Sequence, residues 1–366
     1  MAASELRRML EWMRRAIALV VVLLVSCTSS VAPSPTPATN TGVPFPSLAP
    51  SPTPSATIAA IVTASPANAS PTPIPLPSFA DIAAAGSGVV WALVAGDHLF
   101  RSLDRGATWQ ERALPGLPRI AKISFVDDRN GWILTTGSPA TGCMAQYFAV
   151  WRTTDGADTW EKAYEGDFTS GLTAGGCKSA LAFVDTQHGY ISVSGRDVAP
   201  AILRSVDGGR TWSLSERLPD PPGFRFEPSV STLTPGAVAD FGSVLVVSAL
   251  SEVSGDVRRH VFRSADRGAT WSYGVAIPTA SDIVFLTPTR WLQLVPGSSS
   301  SETTDAGASW HSFATDYVQA AGVPPQIVFG DAQTGYATVR GGIQRTTDGG
   351  VHWTNLTTPG TIRLPP

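Results

Sequence analysis

Charge is scarce in this 366-residue chain: only 15 % of its residues are Asp, Glu, Lys or Arg, and the formal net charge is -3. A protein held to nucleic acid by phosphate contacts needs a strongly basic face, so that class drops out. Cysteine is nearly absent, with three residues, which excludes a disulfide scaffold. The five histidines are scattered and none has ligand spacing to a cysteine, so no metal site is expected. Long hydrophobic runs are missing as well. The one candidate, residues 16–25, has ten apolar residues and is too short to span a bilayer.

What is present is unevenly spread. Thirteen of the thirty prolines fall between Val31 and Pro77, and no charged residue occurs from Cys27 to Ala80. That composition cannot bury a core and predicts a disordered Pro/Ser/Thr/Ala-rich tether over 28–78, followed by one folded domain over 79–366. Upstream, Arg14-Arg15, the short apolar run and Leu24-Val25-Ser26-Cys27 have the parts of a secretory signal. Ending on Leu-Val-Ser-Cys, residues 1–27 resemble a bacterial lipoprotein signal. That resemblance implies acylation of the Cys27 sulfur, an extracytoplasmic location and a membrane anchor. Met1 to Trp12 is a mixed-charge overhang for such a signal, and Met13 is the alternative start. With Cys27 taken by lipid, Cys143 and Cys177 are expected to form a disulfide in the oxidising compartment.

A repeat governs the folded part. Ser102-Leu-Asp104-Arg-Gly-Ala-Thr-Trp109 recurs as Thr153-Thr-Asp155 to Trp160, Ser205-Val-Asp207 to Trp212, Ser264-Ala-Asp266 to Trp271, Thr303-Thr-Asp305 to Trp310 and Thr346-Thr-Asp348 to Trp353. Successive aspartates stand 51, 52, 59, 39 and 43 residues apart, a period of solenoids and propellers. The pattern [S/T]-x-D-x-G-x-[T/S]-W resembles the Asp-box, or BNR repeat, of sialidases and related β-propellers. Its chemistry is local: the carboxylate accepts backbone N–H groups further along, the glycine takes a positive φ, and the Ser or Thr hydroxyl closes the loop. These aspartates therefore read as turn-builders rather than catalysts, with Trp109, Trp160, Trp212, Trp271, Trp310 and Trp353 packing between sheets. Ala157 and His352 depart from the pattern.

Short apolar runs precede five of the boxes, and a second motif, Phe125-Val-Asp127 to Gly131-Trp132, recurs at Phe183 to Tyr190 and Phe329 to Tyr336, with a shortened version from Phe285 to Trp291. Two hairpins per repeat make four strands. The fold expected is an all-β propeller with six four-stranded blades near 79–117, 118–168, 178–220, 225–279, 280–314 and 325–366, or seven if a box-free blade hides in a long interval. Residues 361–364 are a candidate closing strand.

The joint pattern is similar to repeats of the photosystem II stability and assembly factor family, which implies a non-enzymatic exported module that binds protein, without a cofactor. A monomer is expected, its protein or glycan ligand at one end of the ring. Arginine occupies the position three before the box aspartate in five of six repeats, at Arg101, Arg152, Arg204, Arg263 and Arg345, with Glu302 in the fifth. Two readings fit: an arc of guanidiniums that grips carboxylates, or a repeated structural contact in which each arginine pairs with a nearby carboxylate or stacks on its own box tryptophan. The competing function is a sialidase or other glycoside hydrolase, or a carbohydrate-binding propeller. Against it, the sialidase opening motif is missing, with Leu117-Pro-Arg-Ile-Ala a poor substitute, and glutamate is scarce. The acidic run at 126–131 reads as a hairpin rather than a calcium loop, and the histidines as exposed or half-buried strand residues.

Overall fold

The structure is a computed structural model that describes residues 80–117, 122–139, 145–166, 176–195, 197–295, 300–319, 325–339, 342–357 and 359. By contacts the chain divides into Met1–Ser65 and Pro66–Pro366, and all described residues lie in the second unit. Cys27, the proline-rich segment, Cys143 and residues 361–364 lie outside the described residues.

Six antiparallel sheets of four strands follow one another along the chain, each a meander in sequence order. They occupy 80–112, 122–165, 177–214, 231–277, 284–312 and 327–356, and are numbered here as blades 1 to 6. The protein is a six-bladed β-propeller. The first strand of each blade, Ala80–Ala85, Lys122–Phe125, Cys177–Phe183, Ser231–Asp240, Val284–Phe285 and Ile327–Phe329, is innermost. These strands surround a central cavity of about 1030 Å³.

Because strands alternate in direction, each blade has two unlike ends. The first and third turns of every blade, the latter carrying the box aspartate, share one end, called here the aspartate-turn end. The second turn and the connection to the next blade share the other, the loop end.

Aromatic packing joins the blades. Trp91 of blade 1 stacks on Phe125 of blade 2 with centroids 3.8 Å apart, and Trp160 meets Phe125 edge-on at 6.3 Å. Trp132, Phe183 and Trp212 repeat the triplet one blade later, at 3.8 and 6.0 Å. Each such pair adds about 0.5–1.5 kcal/mol beyond the area it buries. In blade 5, Leu292 stands where blade 2 has Trp132, and it packs in one cluster with Phe329 and Trp353 of blade 6.

An innermost strand has one edge without a strand partner, and its N–H and C=O groups need other partners. Side chains of the neighbouring blade supply them. Asp81 Oδ2 accepts from Ile123 N at 3.0 Å, Ser124 Oγ accepts from Phe183 N at 2.8 Å, and the hydroxyls of Ser179 and Ser192 donate to Pro235 O at 3.1 Å and Gly236 O at 2.5 Å. Between blades 4 and 5 the Arg259 guanidinium donates to Ala280 O. Ring closure uses the same device across 244 residues of sequence. Gln326 of the chain entering blade 6 accepts from Ile82 N at 2.7 Å and donates to Ile82 O at 2.9 Å. Beside this clasp, Gly330 approaches Gly86 so closely that a Cβ on it would lie 1.9 Å from Gly86 O.

Gln326→Leu should therefore uncouple the first and last blades while leaving each sheet intact. The expected cost is about 1–3 kcal/mol, the penalty of a stranded donor and acceptor at Ile82, read as a lower urea midpoint in equilibrium unfolding. An unchanged midpoint would show that closure does not depend on this amide.

Candidate functional site

Three groups of residues compete for a functional role: the box aspartates, the repeated arginines and the cavity. The aspartates form six copies of one hydrogen-bonded turn. In blade 3, Asp207 Oδ1 accepts from the Ser205 hydroxyl at 2.8 Å, from Arg210 N at 3.0 Å and from Thr211 N at 2.9 Å, and Oδ2 accepts from Thr211 Oγ1 at 2.6 Å. Ser205 Oγ in turn accepts from Gly209 N at 2.8 Å. Asp104, Asp155, Asp266, Asp305 and Asp348 likewise accept from the Ser or Thr hydroxyl two residues earlier and from the backbone N–H four residues on; the N–H three residues on donates to the carboxylate in blades 2, 3 and 6 and to the aspartate's own carbonyl in blades 1, 4 and 5. Two consecutive residues with positive φ make room for this. They are Arg105 and Gly106 at 60° and 83° in blade 1, and Gly156 and Ala157 at 78° and 64° in blade 2. Ala157 thus holds a conformation that costs an L residue about 1 kcal/mol, and its methyl is buried in the cluster between blades 1 and 2.

The carboxylates are tuned for structure. Hydroxyl donation from Thr108, Thr270 or Ser309, followed by the same residue's backbone N–H, holds Asp104, Asp266 and Asp305 down at about 2. They stay ionised, accept only, and have no proton to donate near neutral pH. His352 replaces the hydroxyl in blade 6, with Nδ1 2.6 Å from Asp348 Oδ2. That hydrogen bond and the aspartate's charge raise the imidazole's pKa above its ordinary 6.5. The six box tryptophans are buried or half-buried behind these turns.

The arginines lie at the aspartate-turn end, where Arg101, Arg152, Arg263 and Arg345 face the next blade. Arg101 donates to Asp128 O of blade 2 at 2.9 Å, and Arg345 donates to Arg105 O of blade 1 at 3.0 Å. The Arg152 guanidinium lies against the Gly208 turn of blade 3. Arg101, Arg152 and Arg263 also sit over the rings of Trp91, Trp132 and Trp291, at 5.6, 5.9 and 5.6 Å. The tryptophans involved come from second strands and are not the box residues. Arg204 is half-buried, with its Nε lacking a partner. Glu302, the exception at this position, is paired with Arg290 at 3.2 Å, and Arg290 reaches Gly349 O of blade 6 at 3.3 Å. Blade 5 has thus moved its cation to the turn that precedes the adjacent strand and kept the contact with the next blade.

The loop end is built differently. Cys177, which opens the innermost strand of blade 3, is disulfide-bonded. The adjacent Lys178 is buried and donates to Gln146 O at 3.2 Å and Gly176 O at 3.0 Å; burial pulls its pKa down to about 8. His260 is fully buried, not half-exposed, with Nε2 3.0 Å from Ser251 Oγ. Tyr147, Val230, Val257 and Val318 are exposed at this end. The cavity surface is divided about evenly between polar and apolar atoms, and its charged members among the described residues are Asp240, Arg259, Asp282 and Asp331. Arg259 and its partners carried no sequence motif.

No family model matches the chain, and no curated protein matches it. Solved structures that resemble it include YCF48 bound to a D1 peptide, at 16 % identity and a TM-score of 0.39, covering 76 % of this chain and 93 % of that one. YCF48 from Cyanidioschyzon merolae matches at 17 % identity and a TM-score of 0.43, covering 80 % and 89 %. The Hadza microbial sialidase Hz136 matches at 14 % identity and a TM-score of 0.46, covering 77 % and 66 %.

His352→Thr restores the hydroxyl used by the other turns and removes a titrating group. A raised folded-state pKa stabilises fully below the unfolded value and loses that contribution as pH rises through the folded one. The difference in thermal midpoint between the native chain and the variant should therefore shift against the native chain as pH rises from 5.5 to 8.5. A difference independent of pH would mean that the His352–Asp348 contact is not ionic.

Proposed function

We propose that the chain is an extracytoplasmic protein-binding or assembly module, anchored by lipid at Cys27, spaced from the membrane by residues 28–78 and engaging its partner at the loop end of a monomeric ring. The observation that carries this reading is the division of labour between the two ends. At the aspartate-turn end the carboxylates serve turns, and Arg101, Arg152, Arg290 and Arg345 reach the next blade. Among the described residues, seven large apolar side chains are exposed, and four of them, Tyr147, Val230, Val257 and Val318, lie at the loop end. Apolar side chains at the end where the connections gather suit a protein surface better than a sugar or a phosphate. The disulfide at Cys177 supports an oxidising compartment.

The arginines serve in this reading as contacts between blades, not as a binding arc. A tether of about fifty residues, at most ~3.1 Å each, lets the ring search on the order of 150 Å from the anchor.

Photo-crosslinking residues placed at Tyr147 and Val318, and separately at Leu103 and Val206 on the aspartate-turn end, test the reading in cells. The first pair should capture one defined membrane-associated protein and the second pair none, while Cys27→Ala should release the chain from the membrane fraction. Capture only from Leu103 and Val206, or of glycan alone, would contradict it.

A further inference from the structure

Blade 4 is tall and blade 5 is short. The strands Ser231–Asp240, Leu245–Val253 and Asp256–Ser264 of blade 4 have ten, nine and nine residues, whereas no strand of blade 5 exceeds three. The two blades begin level at the aspartate-turn end, where Leu245 pairs with Ser264 and Trp291 with Thr303, each the first residue of its box. The extra length of blade 4 therefore projects at the loop end.

Register shows what the projecting part carries. Thr232, Glu252 and Val257 stand opposite one another in one row, and Thr234, Leu250 and Arg259 in the next row down. Residues opposite one another share a face of the sheet. This face is turned to blade 5: Val246 and Val261, on the same alternation, pack with Trp291, and Arg259 donates to Ala280 O at 3.1 Å in the connection between the blades. The other face, toward blade 3, is covered, with Leu233, Ala249, Ser251 and His260 buried. Toward blade 5, Thr232, Thr234 and Leu250 are half-buried, and Glu252 and Val257 are exposed. In the connection below them, Pro278, Thr279, Ala280 and Asp282 are exposed as well. The short blade thus leaves a step at the loop end, walled by Leu250, Val257 and the threonine methyls.

Charge at the step has one sign left over. Glu252 has no hydrogen bond or ion pair among the described residues. Asp282 is 69 % exposed, and its partner Arg259, only 9 % exposed, is already committed to it and to Ala280 O. Glu252 and Val257 are directly opposite, so their Cβ atoms are about 5 Å apart. A ligand that fits brings an aliphatic group and a cation at that spacing. Peptide segments do so with Val, Ile or Leu beside Lys or Arg. A neutral glycan has no cation for Glu252, and a phosphate would meet two carboxylates.

We propose that this step docks a segment of the protein partner that lays an aliphatic side chain on Leu250 and Val257 and a lysine or arginine on Glu252. The site rests on the loop-end reading and gives the partner a chemistry.

Selection of random dodecapeptides on phage against the purified full chain tests the site. Enriched peptides should combine Lys or Arg with Val, Ile or Leu. The tightest of them, synthesised and titrated by fluorescence anisotropy, should bind Glu252→Lys about 3- to 10-fold more weakly and Val257→Ser about 3- to 10-fold more weakly. Both positions are exposed, so both variants should keep the native thermal midpoint, and Leu103→Ser at the opposite end should bind as the native chain does. No enrichment, enrichment of acidic peptides, or equal binding to the native chain and a folded Glu252→Lys would each overturn the proposal. In cells, capture from Tyr147 and Val318 should fall in Glu252→Lys. Undiminished capture in that variant overturns the step alone, whereas no capture from the native chain overturns the loop-end reading and the step with it.

Discussion

The free edge of the innermost strand is the constraint from which most of this structure follows. Six such edges converge on one cavity, and each carries backbone groups that a flat sheet would satisfy with another strand. At four of the six joints the partner is a side chain from the adjacent blade: an aspartate, then a serine, then two serines, and at closure a glutamine. These bonds set how closely neighbouring sheets approach at the axis, which places Trp91 on Phe125 and Trp132 on Phe183 further out. Closure is the same interaction used once more. Gln326 satisfies both backbone groups of Ile82, so among the described strands no blade is assembled from the two ends of the chain.

The buried carboxylate of Asp81 shows what this costs. Burial raises its pKa, and Lys122, 3.6 Å away, together with the Ile123 N–H, pulls in the opposite direction. A carboxyl group 1 % exposed is retained at a position where it bonds the neighbouring strand. Elsewhere the repeat tolerates substitution where the physical role is kept. Arg290 stands in for the missing fifth arginine, Leu292 for an aromatic ring, and His352 for a hydroxyl.

The number of blades and the turn chemistry were legible in the sequence because both are local. Asp207 reaches no further than Thr211, and six copies of that spacing announce themselves. The edge contacts were not legible, since Asp81, Ser124 and Gln326 share no motif position and act across 42, 59 and 244 residues. Arg259 was hidden for a related reason. Its partners, Ala280 O and Asp282, lie in the connection to the next blade and are brought to it only by packing. His260 was read as exposed or half-buried because nothing in the sequence of Asp256–Ser264, whose first three residues are exposed and whose remainder is mostly buried, marks where burial begins. The arginine repeat was visible, whereas its direction, toward the following blade, depends on packing.

Amide hydrogen exchange at Ile82, Ile123 and Phe183 tests the central claim that side-chain bonds to inner edges make the ring a single cooperative unit. All three amides donate to a side chain of another blade. If the ring opens only as a whole, their exchange free energies match one another and the global unfolding free energy. Faster exchange at Ile82 alone, through an opening that leaves Ile123 and Phe183 protected, would show that the ring parts between blades 6 and 1 and that the edge contacts do not govern its cohesion.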